Sequence, residues 1–223
     1  MGTSASPTLR IPLILLALAD LALLGMRLWP WQEVVNLPLN GATGIDPAVC
    51  LVAYMGLMFW IGNTRNQSTK QALSTGAMLG LLGGLLLAGR VAYNAQPGIA
   101  NAPQSGTISK GLLVAAALVW GIAGFRSAKA AGDAASGMLS ALWSGMTSGL
   151  LACGAVLIEM YLAAPVPETT DPWKLYEGLA IGNSATQALV QSLNMATGFL
   201  LLCPLAAAVL GLVFGLGGQN GKD

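Results

Sequence analysis

Histidine is absent from the 223-residue chain. Without imidazole there is no His-ligated zinc, no axial histidine for haem or chlorophyll, and no histidine general base. The cofactor stays unknown on this ground, because a lipid or pigment held between apolar helices leaves no ligand residue behind. Charge is scarce as well. Asp, Glu, Lys and Arg make up 9% of the residues, against about 25% in an ordinary soluble domain. A soluble chain this poor in charge has too little polar material to cover its surface. The net charge is +1, and the basic residues are dispersed, so nucleic acid is excluded as a partner. The cysteines Cys50, Cys153 and Cys203 lie far apart in apolar stretches with no CxxC pair. They read as small buried hydrophobes, with no disulfide and no metal site.

Catalytic motifs are missing too. The serine in Gly145-Met146-Thr147-Ser148-Gly149 has no histidine to activate it, and no lysine lies within the apolar core of a span to replace one. No P-loop and no GxGxxG occurs. The sequence therefore predicts that the chain is not an enzyme.

What the chain has is hydrophobic residues, 55% of the total. A bilayer core about 30 Å thick needs roughly 20 apolar residues of helix. Six segments approach that length, at approximately 11–29, 48–62, 72–93, 108–125, 137–163 and 195–217. The runs are continuous, and Leu, Ala and Gly dominate them, which argues against alternating barrel strands. The expectation is an all-α integral membrane protein, a six-transmembrane-helix bundle forming one membrane domain over residues 1–223. The run after Arg10 resembles a signal peptide at Ala17-Leu18-Ala19, but it continues to Trp29 and reads as an uncleaved first span.

Lys and Arg set the orientation. With the N-terminus inside, Arg10, Arg65, Lys70, Arg126, Lys129 and Lys222 fall on the cytoplasmic side, and Lys110 and Lys174 fall outside. Arg27 and Arg90 lie inside helix ends at the outer boundary. The aromatic residues Trp29, Trp31, Tyr93, Tyr161 and Trp173 then form an outer belt. Both termini are expected in the cytoplasm, in the cytoplasmic (inner) membrane of a bacterium. Residues 173–193 carry apolar positions at roughly helical spacing, which suggests an amphipathic surface helix leading into the last span. A weak internal echo relates Gly84-Leu85-Leu86-Leu87-Ala88-Gly89 to Gly149-Leu150-Leu151-Ala152-Cys153-Gly154.

Three features are candidates for function. The first is glycine spacing. Gly76, Gly80 and Gly84 recur every four residues on the third span, and Gly137, Ala141, Gly145 and Gly149 do so on the fifth. Such strips let a neighbouring backbone approach closely, from within the chain or from another subunit. The second is intramembrane charge. Asp20 lies near the middle of the first span, with Arg90 and Glu159 about one turn inside the outer boundary. A charge at the bilayer centre costs at least about 2.5–3.5 kcal/mol, which makes each a functional candidate. Arg90 and Glu159 lie at similar depth and are candidates to pair. The third is a polar face. Ser184, Gln187, Gln191 and Asn194 are spaced three or four apart and lead to Pro204, whose missing amide leaves the carbonyl of Leu200 without its helical donor.

Two functional readings follow. In the first, the chain is a non-catalytic integral subunit or scaffold of a larger membrane complex, packing against other membrane subunits through its glycine-rich faces. In the alternative, it is a small-solute or ion transporter or channel. Its polar cavity would then involve Asp20, Arg90, Glu159 and the face from Gln187 to Asn194.

Overall fold

The structure, a computed structural model, describes residues 10–29, 45–62, 66–96, 105–163 and 184–219. Six helices account for nearly all of them. They are α1 (Arg10–Leu28), α2 (Ile45–Gly62), α3 (Gln67–Ala95), α4 (Ser105–Ala131), α5 (Ala134–Ala163) and α6 (Ser184–Gln219). Five of these, all but α2, are long and apolar enough to cross a membrane, and α2 holds a shorter apolar stretch, Asp46–Ile61. Large apolar side chains cover the outside of the bundle, among them Leu15, Phe59, Trp60, Leu85, Leu202 and Val213. A bundle in water would turn these inward. The chain is an α-helical integral membrane protein.

The helix ends follow from local chemistry. Asn66 caps α3, its Oδ1 accepting from the Ser68 amide at 3.1 Å. Between α4 and α5, Gly132 adopts a positive φ of 80° and its amide closes on the Ala128 carbonyl at 2.7 Å. Asp133 then caps α5, accepting from the Ser136 amide at 2.7 Å and from its hydroxyl at 2.9 Å. A left-handed glycine followed directly by a capping aspartate turns the chain in two residues. It makes α4 and α5 an antiparallel hairpin.

Helix α5 is the axis of the fold. It is 78% buried, whereas the other spanning helices are 28–44% buried. The reason lies in its residue sizes. Gly137, Ala141, Gly145 and Gly149 leave one side nearly flat, and Ser140, Ser144, Thr147 and Ser148 keep the other side small and polar. Helices α3, α4 and α6 pack directly around it. The α1–α2 pair is more peripheral, α1 resting on α5 and α2 on α6. Helix α1 turns a single row inward: Leu13, Ala17, Asp20, Leu24 and Arg27 are buried, at spacings of three and four.

The six predicted segments each fall on one helix; α1 keeps the expected length, and the other five helices begin three to eleven residues earlier than hydropathy gave. The largest difference is at α6, which begins at Ser184 rather than near residue 195. The expected surface helix over 173–193 lies outside the described residues up to 183. From 184 onward it is the opening of α6 itself, continuous with the last span.

Candidate functional site

The buried carboxyl of the bundle lies where the α1–α2 pair meets α5 and α6. Asp20 is 1% exposed, on the inward row of α1. Its Oδ1 faces α5 at Gly154, where an added Cβ would lie 2.7 Å from that oxygen. Only glycine at 154 leaves room for the carboxyl. Its Oδ2 has no hydrogen-bond partner among the described residues. Asp20 is eight residues from the end of α1, about 12 Å at 1.5 Å per residue, so the carboxyl sits well inside the apolar layer.

Further along α5, opposite Gly149, stands Tyr54 of α2, almost wholly buried. Its hydroxyl donates to the carbonyl of Leu200 on α6. This is the carbonyl that Pro204, four residues on, cannot serve with an amide. A phenol from a neighbouring helix thus supplies the donor that the proline withholds. Gly149 makes room for it: a Cβ there would lie 3.3 Å from the Tyr54 hydroxyl and 2.8 Å from the Phe199 carbonyl. The cysteines, dispersed in sequence, converge at this place. Cys50, Cys153 and Cys203 all lie within electrostatic reach of Tyr54, and Asp20 lies within reach of Cys153. Among the described residues no group of three His, Cys, Asp or Glu is placed to hold a metal ion.

Toward the C-terminal end of α1 the seam closes on a second buried group. Arg27 is 4% exposed, with its guanidinium 5.7 Å from the centre of the Tyr161 ring on α5. The Tyr161 hydroxyl points back to the Leu23 carbonyl at a long 3.5 Å. The chemistry available here is that of one carboxyl, one phenol and three thiols in an apolar wall. A carboxyl so placed can take up and release a proton or attract a small cation.

The other polar candidates lie elsewhere. Arg90 of α3 donates from Nε to the Ser109 hydroxyl at 2.8 Å and forms no ion pair with Glu159. Glu159 is half-buried on α5. Arg90 and Asn94 mark the polar end of a cavity of about 410 Å³ between α3, α4 and α6, with Val91, Trp120, Phe199 and Cys203 in its walls. Gln191 and Asn194 are exposed on the outer side of α6, and the side chain of Gln187 lies outside the described residues. The cavity that Arg90 lines includes none of Asp20, Glu159, Gln191 and Asn194.

Both glycine strips are filled from within the chain. Gly76, Gly80 and Gly84 lie against Ser140, Ser144 with Thr147, and Leu151 of α5. Gly137 lies against Gly124 of α4 and Gly211 of α6, Ala141 against Gly211, and Gly145 against Cys203 and Pro204 of α6. At Gly76, Gly80, Gly137, Gly145 and Gly149 the nearest or next-nearest atom to an added Cβ is a backbone carbonyl oxygen of the facing helix. That spacing suits Cα–H···O contacts. Ser148, without a catalytic partner, has a structural one. Its hydroxyl donates to the Gly80 carbonyl at 2.9 Å and accepts from the Trp120 indole at 3.0 Å, tying α3, α4 and α5 together.

Sequence reasoning missed Tyr54, Arg27, Gly154 and the meeting of the thiols. Only Tyr54 had a traceable signal, because a proline inside a span orphans a carbonyl that some donor has to satisfy. No protein-family model matches the chain, and neither a curated protein nor a solved structure matches it.

Proposed function

We propose that this chain is a small carrier or channel that moves a proton or small cation along the seam between the α1–α2 pair and the α5–α6 face, with Asp20 as its binding group. The observation that supports this is Asp20 itself. A carboxyl buried at mid-span, with one oxygen unpartnered and a glycine cleared opposite it, contributes nothing evident to packing and costs stability. The peripheral docking of α1 and α2 gives that seam a face able to open without unpacking the α3–α6 bundle.

The topology belongs to the same proposal. All six helices span, and both termini face the cytoplasm of a bacterial inner membrane. Helix α2, with 18 residues, is about 27 Å long, and a bilayer thins locally around a short span at modest cost.

The test is ion flux in proteoliposomes carrying, in separate preparations, an internal pH-sensitive dye or an internal sodium-sensitive dye, driven by a potassium diffusion potential. Wild-type protein should admit protons or sodium faster than protein-free vesicles. Asp20→Asn should fall to the vesicle background, and Glu159→Gln should stay near wild type. Equal flux in wild type and Asp20→Asn would remove Asp20 from the pathway. Absence of any cation flux, together with a stoichiometric set of co-purifying membrane proteins, would favour the non-catalytic subunit instead. That subunit would have to dock through surfaces other than its glycine strips, which are filled internally.

A further inference from the structure

A second cavity, of about 530 Å³, opens at the opposite end of the bundle from Arg90, between the first turns of α3 and the last turns of α4. Ser68, Gln71 and Thr75 line it from α3, at spacings of three and four that put them on one face. Arg126, Ser127 and Lys129 line it from α4. Among its described lining residues none is acidic. Arg126 and Lys129 are exposed, and Lys129 carries its ammonium 6.0 Å from the Phe125 ring.

Ser127 is different from these. It is 5% exposed, and its Oγ has no hydrogen-bond partner among the described residues. A buried serine in a helix ordinarily bonds back to a carbonyl of the preceding turn. Left unpaired, the hydroxyl carries a desolvation cost that an occupant of the cavity would remove. The cavity also lies at the amino end of α3, where the helix dipole favours negative charge.

We propose that this cavity is a binding site for a phosphate-bearing anion, with Arg126 and Lys129 supplying charge and Ser127, Gln71 and Thr75 supplying hydrogen bonds. The site is independent of the Asp20 seam and lies at the membrane surface. Its occupant is either the headgroup of an acidic phospholipid or a free phosphate, which present the same oxyanion. Two cations beside neutral donors match a phosphate better than a zwitterionic headgroup, whose amine finds no acid here.

The experiment is thermal unfolding of the full-length protein in phosphatidylcholine nanodiscs, with two additions made separately: phosphatidylglycerol in the bilayer, and inorganic phosphate in the buffer. One of them should raise the midpoint by roughly 5 °C, as saturation of a native-state site does. A response to phosphatidylglycerol alone identifies a lipid headgroup, and a response to phosphate alone identifies a soluble anion. In both cases Arg126→Gln/Lys129→Gln should abolish the shift, and Lys110→Gln, at the far end of α4, should leave it intact. Ser127→Ala separates a built site from general attraction to a basic surface. Without the anion its midpoint should equal or exceed that of wild type, because an unpaired hydroxyl has been removed. With the anion its shift should shrink by at least half. No shift with either addition, or a shift that Ser127→Ala leaves unchanged, would overturn the proposal.

Discussion

At Asp20, stability and function pull in opposite directions, and that separates a working carboxyl from a structural one. A structural acid would be held at both oxygens, and its loss would weaken the fold. Here one oxygen is unpartnered and the side chain is wholly buried. Replacing it with a small apolar residue that the site can hold without overpacking, Asp20→Val, should therefore raise stability in detergent by about 1–3 kcal/mol, the desolvation cost of an unsatisfied buried polar group. The same variant should carry no cation flux. A drop in the unfolding midpoint would mean that the carboxyl holds the seam together. The glycines give a second comparison at this scale. A methyl added at Gly145 would lie 2.5 Å from the Cys203 carbonyl oxygen and 2.6 Å from the Ala207 Cβ, with backbone on the receiving side. Gly145→Ala should cost about 1–3 kcal/mol through overpacking. Gly25 has nothing within 4 Å of an added Cβ. Gly25→Ala should be neutral or stabilise by up to about 1 kcal/mol, because alanine is the better helix former. Unfolding midpoints for the two variants, measured side by side, test whether the close approaches bear energy.

Among the elements, α2 and α6 are joined by an exchange of donors that a double-mutant cycle can read. Pro204 leaves the Leu200 carbonyl without its amide, and the Tyr54 hydroxyl takes it instead. Tyr54→Phe should cost about 1–3 kcal/mol, because a backbone carbonyl is left buried and unpaired. Pro204→Ala restores the helical amide, so the phenol has less to do. In that background the cost of Tyr54→Phe should fall by about 1 kcal/mol or more, a coupling of the size contacting residues show. Additive effects would mean that the phenol and the proline act independently. The proline and its orphaned carbonyl were legible in the sequence, whereas the tyrosine was not. The first is a property of one helix, and the second depends on which helix lies alongside. The glycine strips divide in the same way. Their spacing declared a close approach, but what approaches could be learned only from packing, and it is α3, α4, α5 and α6 themselves. Helix ends were legible only where a hydropathy change marked them. Ser184 to Asn194 is polar enough to look extramembrane, yet the same chain continues as one helix into the span.

For the molecule as a whole, hydropathy alone located every helix among the described residues, because lipid requires backbone hydrogen bonds to be satisfied within each segment. The polar candidates were legible as residues but not as a site. Depth along a helix can be counted from sequence, whereas rotation about its axis is set by neighbours. Arg90 and Glu159 matched in depth, yet they face different surroundings. Asp20 and Cys153 showed no relation until α1 was laid on α5. Orientation in the bilayer rests on the loop charges, and it can be tested at two exposed positions on opposite ends of the bundle, Ser68 at the start of α3 and Lys110 near the start of α4. With both termini inside, Lys110→Cys should react with a membrane-impermeant maleimide in intact cells. Ser68→Cys should react only after the cells are opened. The native thiols give a low background, since Cys153 and Cys203 are buried and Cys50 is half-buried within an apolar helix. The reverse pattern would place the Arg126–Lys129 cavity on the outer face, against the rule that basic loops stay inside. Labelling of both positions in intact cells would mean that α3 and α4 do not each cross the membrane once, and the six-span reading would fall with it.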